Sequence, residues 1–174
     1  HGDIGCAIPK VLYPDGSIQF LCRLLPSPFT LFMRRFCILR IECLADKINY
    51  QYEMRFSGYG QVMDVPYISG AFMFLRNEAI RKAGKFDQRF FLYLEDVDFS
   101  RRINKYFRNI YLPEVTIFHE HGRHSYKRNS LLKHHIVSAI KYFNKWGWFF
   151  DQDRLSINRA AISQGTSLRL ATCP

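Results

Sequence analysis

Short apolar runs separated by turn residues make up the first part of the chain. Residues 4–12 have the length and apolarity of a buried strand, in which Pro9 limits pairing on one side. The sequence Pro14-Asp15-Gly16 predicts a turn, because proline presets φ and Asp-Gly accepts the positive φ that follows. Residues 18–22 then predict a short returning strand.

The middle of the chain mixes helical patterns with an unpatterned stretch. Residues 29–44 are mostly apolar with interspersed arginines, which favours a helical segment, whereas residues 46–60 are polar and predict a loop. Asn77 as N-cap and Gly84 as the stop predict a two-turn helix. Residues 99–107 predict another short helix.

Gly70 interrupts residues 67–75, an apolar stretch with the length of a buried strand. A glycine in this setting indicates either a β-bulge or the close approach of a ligand or another backbone. Further along, residues 109–112 and 115–118 predict two strand pieces on either side of Pro113.

Residues 127–150 predict a basic amphipathic helix followed by an aromatic cluster, Trp146-Gly147-Trp148-Phe149-Phe150. Basic charge beside tryptophan and phenylalanine is typical of a membrane-surface anchor, but a core helix with an aromatic plug has the same composition. Residues 151–174 predict a C-terminal extension that is partly disordered, with one further helical turn at 151–158.

Candidate chemistry concentrates in residues 86–98, where an aromatic and leucine-rich segment ends in Glu95, Asp96 and Asp98. An apolar segment fixes such carboxylates in position beside the free N–H groups of the following helix. The alternative is that Asp96 or Asp98 simply caps that helix, since aspartate is a preferred N-cap.

The charge distribution raises a second possibility. The net charge is +10, and residues 101–160 hold twelve Lys and Arg against four Asp and Glu. This excess indicates either a polyanionic partner or only a basic surface. Five scattered cysteines without a C-x-x-C pair fit reduced thiols of a cytosolic protein better than a disulfide framework or zinc site. No apolar run is long enough to span a membrane.

Three histidines, His119, His121 and His124, lie in a polar segment with Glu120. Imidazole and carboxylate together suit Mn²⁺, Fe²⁺ or Zn²⁺, although three histidines in a loop do not by themselves define a site.

Five motifs in order resemble the second half of bacterial family-2 glycosyltransferases, most closely the rhamnosyltransferases of O-antigen, lipopolysaccharide and cell-wall polysaccharide assembly. The resemblance covers about residues 2–150. Its motifs are Ile4-Gly5 with Pro9-Lys10 and Pro14-Asp15-Gly16, then Ser69-Gly70-Ala71-Phe72-Met73, Gly84-Lys85-Phe86-Asp87, residues 90–98, and Pro113-Glu114-Val115 with His119.

The resemblance implies an α/β fold of the GT-A type, a Rossmann-like nucleotide-diphospho-sugar transferase fold. It implies an inverting transfer from a nucleotide-sugar, dTDP-rhamnose or similar, to a glycan or polyprenyl-diphosphate-linked acceptor. The implied cofactor is Mg²⁺ or Mn²⁺, because a divalent cation stabilises the leaving diphosphate. No nucleic-acid partner is implied. The location would be cytoplasmic, with peripheral contact on the anionic inner face of the plasma membrane.

Roles carry over residue by residue. Asp96 would be the general base, and Glu95 would orient Asp96 or the acceptor. Ser69, Gly70 and Ala71 would line the acceptor side, with Asp98 and Arg101 as further substrate-side positions that support this region more than they perform chemistry. His119 would ligate the metal or touch the diphosphate. Burial at the end of the apolar segment is expected to raise the pKa of the acid.

The resemblance also implies that the first half of the transferase domain, with its Asp-x-Asp segment, is absent. We therefore expect the 174 residues alone to be inactive, and the complete parent to be the enzyme. The rival hypothesis is a non-catalytic basic module that binds anionic membrane or nucleic acid through residues 101–160. Acids at positions 95, 96 and 98 argue against it, because they would repel phosphate groups.

Overall fold

The computed structural model describes residues 2–36, 42–120 and 129–172. The strands in this part are β1 (Ile4–Leu12), β2 (Cys22–Arg23), β3 (Met63–Asp64), β4 (Tyr67–Ile68), β5 (Phe74–Leu75) and β6 (Arg108–Phe118). The helices are α1 (Pro28–Phe36), α2 (Glu42–Tyr52), α3 (Asn77–Ala83), α4 (Glu95–Ile103), α5 (Asn129–Trp146) and α6 (Gln152–Thr172), with a single 3-10 turn at Arg55–Ser57.

The main sheet is mixed, in the order β3-β6-β1-β5. Its two long central strands, β1 and β6, are parallel, and the short β3 and β5 pair with them antiparallel. β2 and β4 form a separate antiparallel pair. Parallel central strands with helices between them make a mixed α/β architecture that is compatible with a Rossmann-like fold.

β6 is one strand where the sequence predicted two pieces. Pro9 pairs with Leu112, but the next residue of β1, Lys10, pairs with Thr116. Three residues of β6 therefore bulge out, beginning at Pro113, which has no N–H to donate to the ladder. The proline displaces the pairing without ending the strand.

The sheet packs closely against α4 at Gly5. A Cβ added to Gly5 would lie 2.6 Å from the Cβ of Phe107 and 2.7 Å from Cγ2 of Ile103. The absence of a side chain at Gly5 thus sets the distance between β1 and the end of α4. Cys6 and Cys22 are buried free thiols, as predicted, and burial raises the pKa of Cys6 to about 12. The side chains of the other three cysteines lie outside the described part.

The loop predicted for residues 46–60 is wrong, because α2 and the 3-10 turn occupy most of it. Tyr52, Met54 and Tyr59 are buried here, and the Tyr59 hydroxyl lies 2.8 Å from the Glu53 carbonyl and 3.0 Å from that of Cys22. Because the few buried residues in this segment are separated by polar ones, its sequence shows no helical period of apolar positions. Tertiary contacts order this segment.

Disorder in the C-terminal extension was also predicted wrongly, since α6 runs to Thr172. Polar contacts fasten it. The Asn158 side chain bonds both the N–H and the C=O of Leu25, at 2.8 and 2.9 Å, and Gln164 bonds the Asp64 N–H at 2.9 Å. α6 also packs on the core through Ile157, Ala161 and Ile162, but small and polar residues interrupt this apolar face, which explains the misleading pattern.

The other predicted helices are confirmed with shifted starts. α3 ends at Gly84, whose φ of 77° is left-handed, but its N-cap is Arg76 and not Asn77. α4 begins at Glu95, four residues before the predicted start. α5 matches the predicted amphipathic helix. Among the described residues, no helix combines the length and apolarity needed to cross a bilayer.

Candidate active site

The Asp96 carboxylate is held by three donors. Its Oδ2 accepts a hydrogen bond from the Gly70 N–H (2.8 Å) and one from the Tyr67 hydroxyl (3.0 Å). Its Oδ1 accepts the Val97 N–H at 2.9 Å. Such donors favour the charged form of a carboxylate and fix its orientation. Asp96 itself is half-buried, while Gly70 beside it is exposed, so the carboxylate borders the protein surface.

The backbone before this carboxylate is strained. Tyr93 and Leu94 have φ values of 69° and 65°, so two consecutive non-glycine residues are left-handed. Each such residue costs of the order of 1–3 kcal/mol, and such conformations cluster at functional sites. Leu94 occupies the N-cap position of α4 without a side-chain cap bond. Neither Asp96 nor Asp98 is therefore the N-cap residue, because both lie inside the first turn. Asp96 does accept one of the free amides of that turn, the Val97 N–H, so the capping hypothesis is correct in part.

Glu95 differs from its neighbour in having an unsatisfied oxygen. Its Oε2 is buried and has no hydrogen-bond partner among the described residues. Burial raises the pKa of Glu95, and the nearby charge of Asp96 adds to the rise. The desolvation effect expected from the apolar segment is thus found at Glu95.

Ser69, Gly70 and Ala71 form a turn after β4, which excludes the β-bulge interpretation of Gly70. Gly70 and Ala71 are exposed and Ser69 is half-buried. A Cβ at Gly70 would meet Asp96 first, with Oδ2 at 3.4 Å and Cβ at 3.5 Å. The group that approaches Gly70 is therefore the Asp96 side chain in the first turn of α4, while Gly70 and Ala71 remain exposed to solvent.

Asp98 and Arg101 point into the protein. Asp98 is 0% exposed and accepts bonds from Trp146 Nε1 (2.7 Å) and Arg102 Nε (2.9 Å), with Lys145 Nζ also at 2.7 Å. Arg101 is 2% exposed and makes a bidentate pair with Asp151, at 2.6 and 2.5 Å. Both side chains fasten α4 to α5 and α6. This arrangement favours the supporting role for them over direct substrate contact.

α5 also holds the apolar segment before α4. Ser138 Oγ donates to the Leu92 carbonyl at 2.7 Å, Lys141 Nζ donates to the Arg89 carbonyl at 2.6 Å, and Lys145 Nζ lies 2.9 Å from Asp87. The apolar face of α5 is partly core, with Tyr142 and Phe143 buried. The aromatic cluster divides, since Trp146 packs on Arg101 while Phe149 and Phe150 are 73% and 94% exposed.

His119 lies one residue after β6 and is half-buried. Its ring Nδ1 is 3.2 Å from Gln19 Oε1, and its backbone N–H donates to the Leu12 carbonyl. No group of three His, Cys, Asp or Glu residues suited to a metal ion occurs within residues 2–36, 42–120 and 129–172. His119 would supply only one ligand, so these residues do not make a Mg²⁺ or Mn²⁺ site by themselves. His121 and His124 lie outside the described residues.

Two residues near Asp96 were not predicted from the sequence. Tyr67 is buried, at 5% exposed, and donates to Asp96 from 29 positions away. Arg23 lies behind it, with Nη1 3.4 Å from the Tyr67 oxygen and its guanidinium 5.7 Å from the ring centre. No local pattern marks either residue, because the Arg23–Tyr67 contact depends on the pairing of β2 with β4, and the Tyr67–Asp96 contact joins β4 to α4.

Comparison with known proteins gives a partial match. The chain is 36% identical over 90 residues to N-acetylglucosaminyl-diphospho-decaprenol L-rhamnosyltransferase from two strains of Mycobacterium tuberculosis, CDC 1551 / Oshkosh and ATCC 25618 / H37Rv. The alignment covers 49% of this chain and 29% of each relative. No known protein family profile matches the chain, and no solved structure does. These findings support a relationship to glycosyltransferases.

Proposed function

We propose that this chain forms the acceptor-side, base-carrying part of an inverting glycosyltransferase with the GT-A fold. The observation that carries the proposal is the Asp96 carboxylate, fixed by three donors at an exposed turn. The similarity to a rhamnosyltransferase supports rhamnose, carried by dTDP or a related nucleotide, as the transferred sugar. A polyprenyl-diphosphate-linked sugar or glycan of the cell envelope would be the acceptor.

In this proposal Asp96 removes the proton from an acceptor hydroxyl. The hydroxyl oxygen attacks the anomeric carbon and forms the new glycosidic bond, while the bond from that carbon to the nucleoside diphosphate breaks. A carboxylate has about four lone-pair sites, and three of those on Asp96 are filled by donors. The proton is therefore received by Oδ1, the oxygen with only one donor. Glu95 orients the acceptor or Asp96 from the adjacent position.

The proposed enzyme would use a divalent cation. His119 would be one ligand of Mg²⁺ or Mn²⁺, and other ligands would come from outside the described residues. A divalent ion would stabilise the charge on the departing diphosphate.

The direct test is a transfer assay with the complete protein. We expect release of nucleoside diphosphate from dTDP-rhamnose only when a polyprenyl-diphosphate-linked N-acetylglucosamine acceptor is present, and loss of that release with EDTA. Product analysis by mass spectrometry should show one added deoxyhexose. Salt-dependent binding to generic DNA without any transfer would instead support the basic interaction module.

We also propose that the protein meets the cytoplasmic face of the membrane through Phe149 and Phe150, which are exposed just after the end of α5, a helix that also carries the exposed lysines Lys133 and Lys141. Aromatic side chains next to basic charge suit an anionic interface. A lipid-linked acceptor would be reached there.

The Phe149→Ser/Phe150→Ser double variant should bind vesicles containing phosphatidylglycerol about tenfold more weakly in flotation assays, because two exposed rings leave the interface. Phe74→Ser, on the edge strand β5, removes a ring of comparable exposure and should leave binding unchanged. Equal binding by wild type and the double variant would remove this surface from the proposal.

A further inference from the structure

The Asp96 carboxylate has a buried support that no local motif marks. The Tyr67 hydroxyl and the Gly70 N–H both reach Oδ2, so they fill the two lone pairs of that oxygen. The Val97 N–H takes one lone pair of Oδ1. The orientation of the carboxylate, and the oxygen left open, are therefore set largely by Tyr67 and the 69–71 turn.

Toward Asp96 the Tyr67 hydroxyl acts as a donor. Burial, and then the negative charge of Asp96, raise the pKa of Tyr67 well above its usual range, although Arg23 opposes the rise. The phenol keeps its proton at neutral pH and gives it to a hydrogen bond with Oδ2. Its oxygen remains an acceptor for the group behind it.

That group is Arg23. Its Nη1 lies 3.4 Å from the Tyr67 oxygen, and its Nε is buried with no hydrogen-bond partner among the described residues. A buried donor left without a partner is a cost that folded proteins usually avoid. The position of Arg23 places a positive charge within hydrogen-bond distance of the Tyr67 hydroxyl. This charge polarises the hydroxyl, which strengthens it as a donor to the carboxylate.

We propose that Tyr67 is a positioning residue, supported by Arg23, that directs Oδ1 of Asp96 toward the acceptor hydroxyl. The inference rests on the proposed role of Asp96 as the base. Tyr67 itself is buried and touches no substrate. It acts through the carboxylate.

The test compares Tyr67→Phe with Tyr111→Phe. Tyr111 is a matched control, because it is also buried and also donates its hydroxyl to one acceptor, the Tyr59 carbonyl at 3.2 Å. We expect Tyr67→Phe to lower kcat about tenfold at neutral pH with little change in KM, since a hydrogen bond to a charged group is lost. The acidic limb of its pH–rate profile should move to higher pH. Tyr111→Phe should change neither.

A second readout needs no activity. In protein labelled with ¹³C at the aspartate carboxyls, the signal that disappears in Asp96→Asn is assigned to Asp96. Its titration midpoint should lie at higher pH in Tyr67→Phe and in Arg23→Gln, and be unchanged in Tyr111→Phe. If Tyr67→Phe does not fold, the Asp96 midpoint in Arg23→Gln still tests the support of the carboxylate by Tyr67 and Arg23.

Unchanged midpoints in Tyr67→Phe and Arg23→Gln would overturn the inference, as would an equal displacement in Tyr111→Phe. Failure of the proposed function would look different. The wild-type protein would then transfer no sugar, while the Asp96 midpoint would still respond to Tyr67→Phe.

Discussion

Asp96→Asn is expected to lower turnover about a hundredfold or more in the complete protein while leaving donor binding nearly intact, because loss of a general base removes an interaction that forms only in the transition state. Asparagine is close to aspartate in size, and its side-chain oxygen can still accept from Gly70 and Tyr67. The change therefore removes proton acceptance more than structure. The measurement is steady-state release of nucleoside diphosphate, with donor affinity determined separately by calorimetry.

Asp15→Asn is a suitable control for this experiment. Asp15 is an exposed acid in the turn after β1, bonded to Ser17, so the same loss of charge occurs outside the candidate site. It should retain wild-type turnover. Wild-type turnover in Asp96→Asn would contradict the role of Asp96 as the base and leave it as an anchor for the 69–71 turn. Testing Glu95→Gln in parallel would then show whether the acid with the raised pKa performs the proton transfer.

Asp151→Ala is expected to give the largest loss of stability, about 3–5 kcal/mol, because it leaves Arg101 as a buried cation without its partner. Urea denaturation followed by far-UV circular dichroism measures the change in the free energy of unfolding. Asp153→Ala is the matched control, since Asp153 lies two residues later, in the first turn of α6, but is exposed. Similar losses in the two variants would show that the Arg101–Asp151 pair contributes little beyond an ordinary surface charge.

The same pair predicts a pH dependence. Burial alone would raise the pKa of Asp151, but the bonds from Arg101 and from the Arg154 N–H outweigh it and leave the pKa below its ordinary value. A lowered folded-state pKa means that the contribution to stability is fully present above the unfolded value, near 4, and is lost as pH falls below it. Asp151→Ala should therefore flatten the acid side of the stability profile. An unchanged profile would assign the acid sensitivity to other carboxylates.

Elements with a clear apolar period could be predicted from the sequence. β1, α3 and α5 follow recognisable patterns, with the left-handed Gly84 as a clear stop. α6 was not accessible, because its inward face combines the apolar residues Ile157, Ala161 and Ile162 with the polar anchors Asn158 and Gln164. The apolar stripe is therefore too weak to detect in the sequence.

The candidate site could be predicted only in part. The structure brings Asp96 and Gly70 together, two residues that the resemblance had placed on one site. Tyr67 and Arg23 could not be found, since their contacts link strands and a helix far apart in the chain. The burial of Asp98 and Arg101 depends equally on α5 and α6, whose docking no spacing on α4 reveals.

The bond from the Gly70 N–H to Asp96 ties a surface turn to a residue 26 positions later. The choice of an inactive variant for trapping a substrate complex follows from this tie. Asp96→Ala would release the turn together with the acid, so ligand affinity would fall and the residue would be mistaken for a binding group. Asp96→Asn retains an oxygen for the turn. Co-crystals grown with the asparagine variant would preserve the surface that the ligand meets in the native protein.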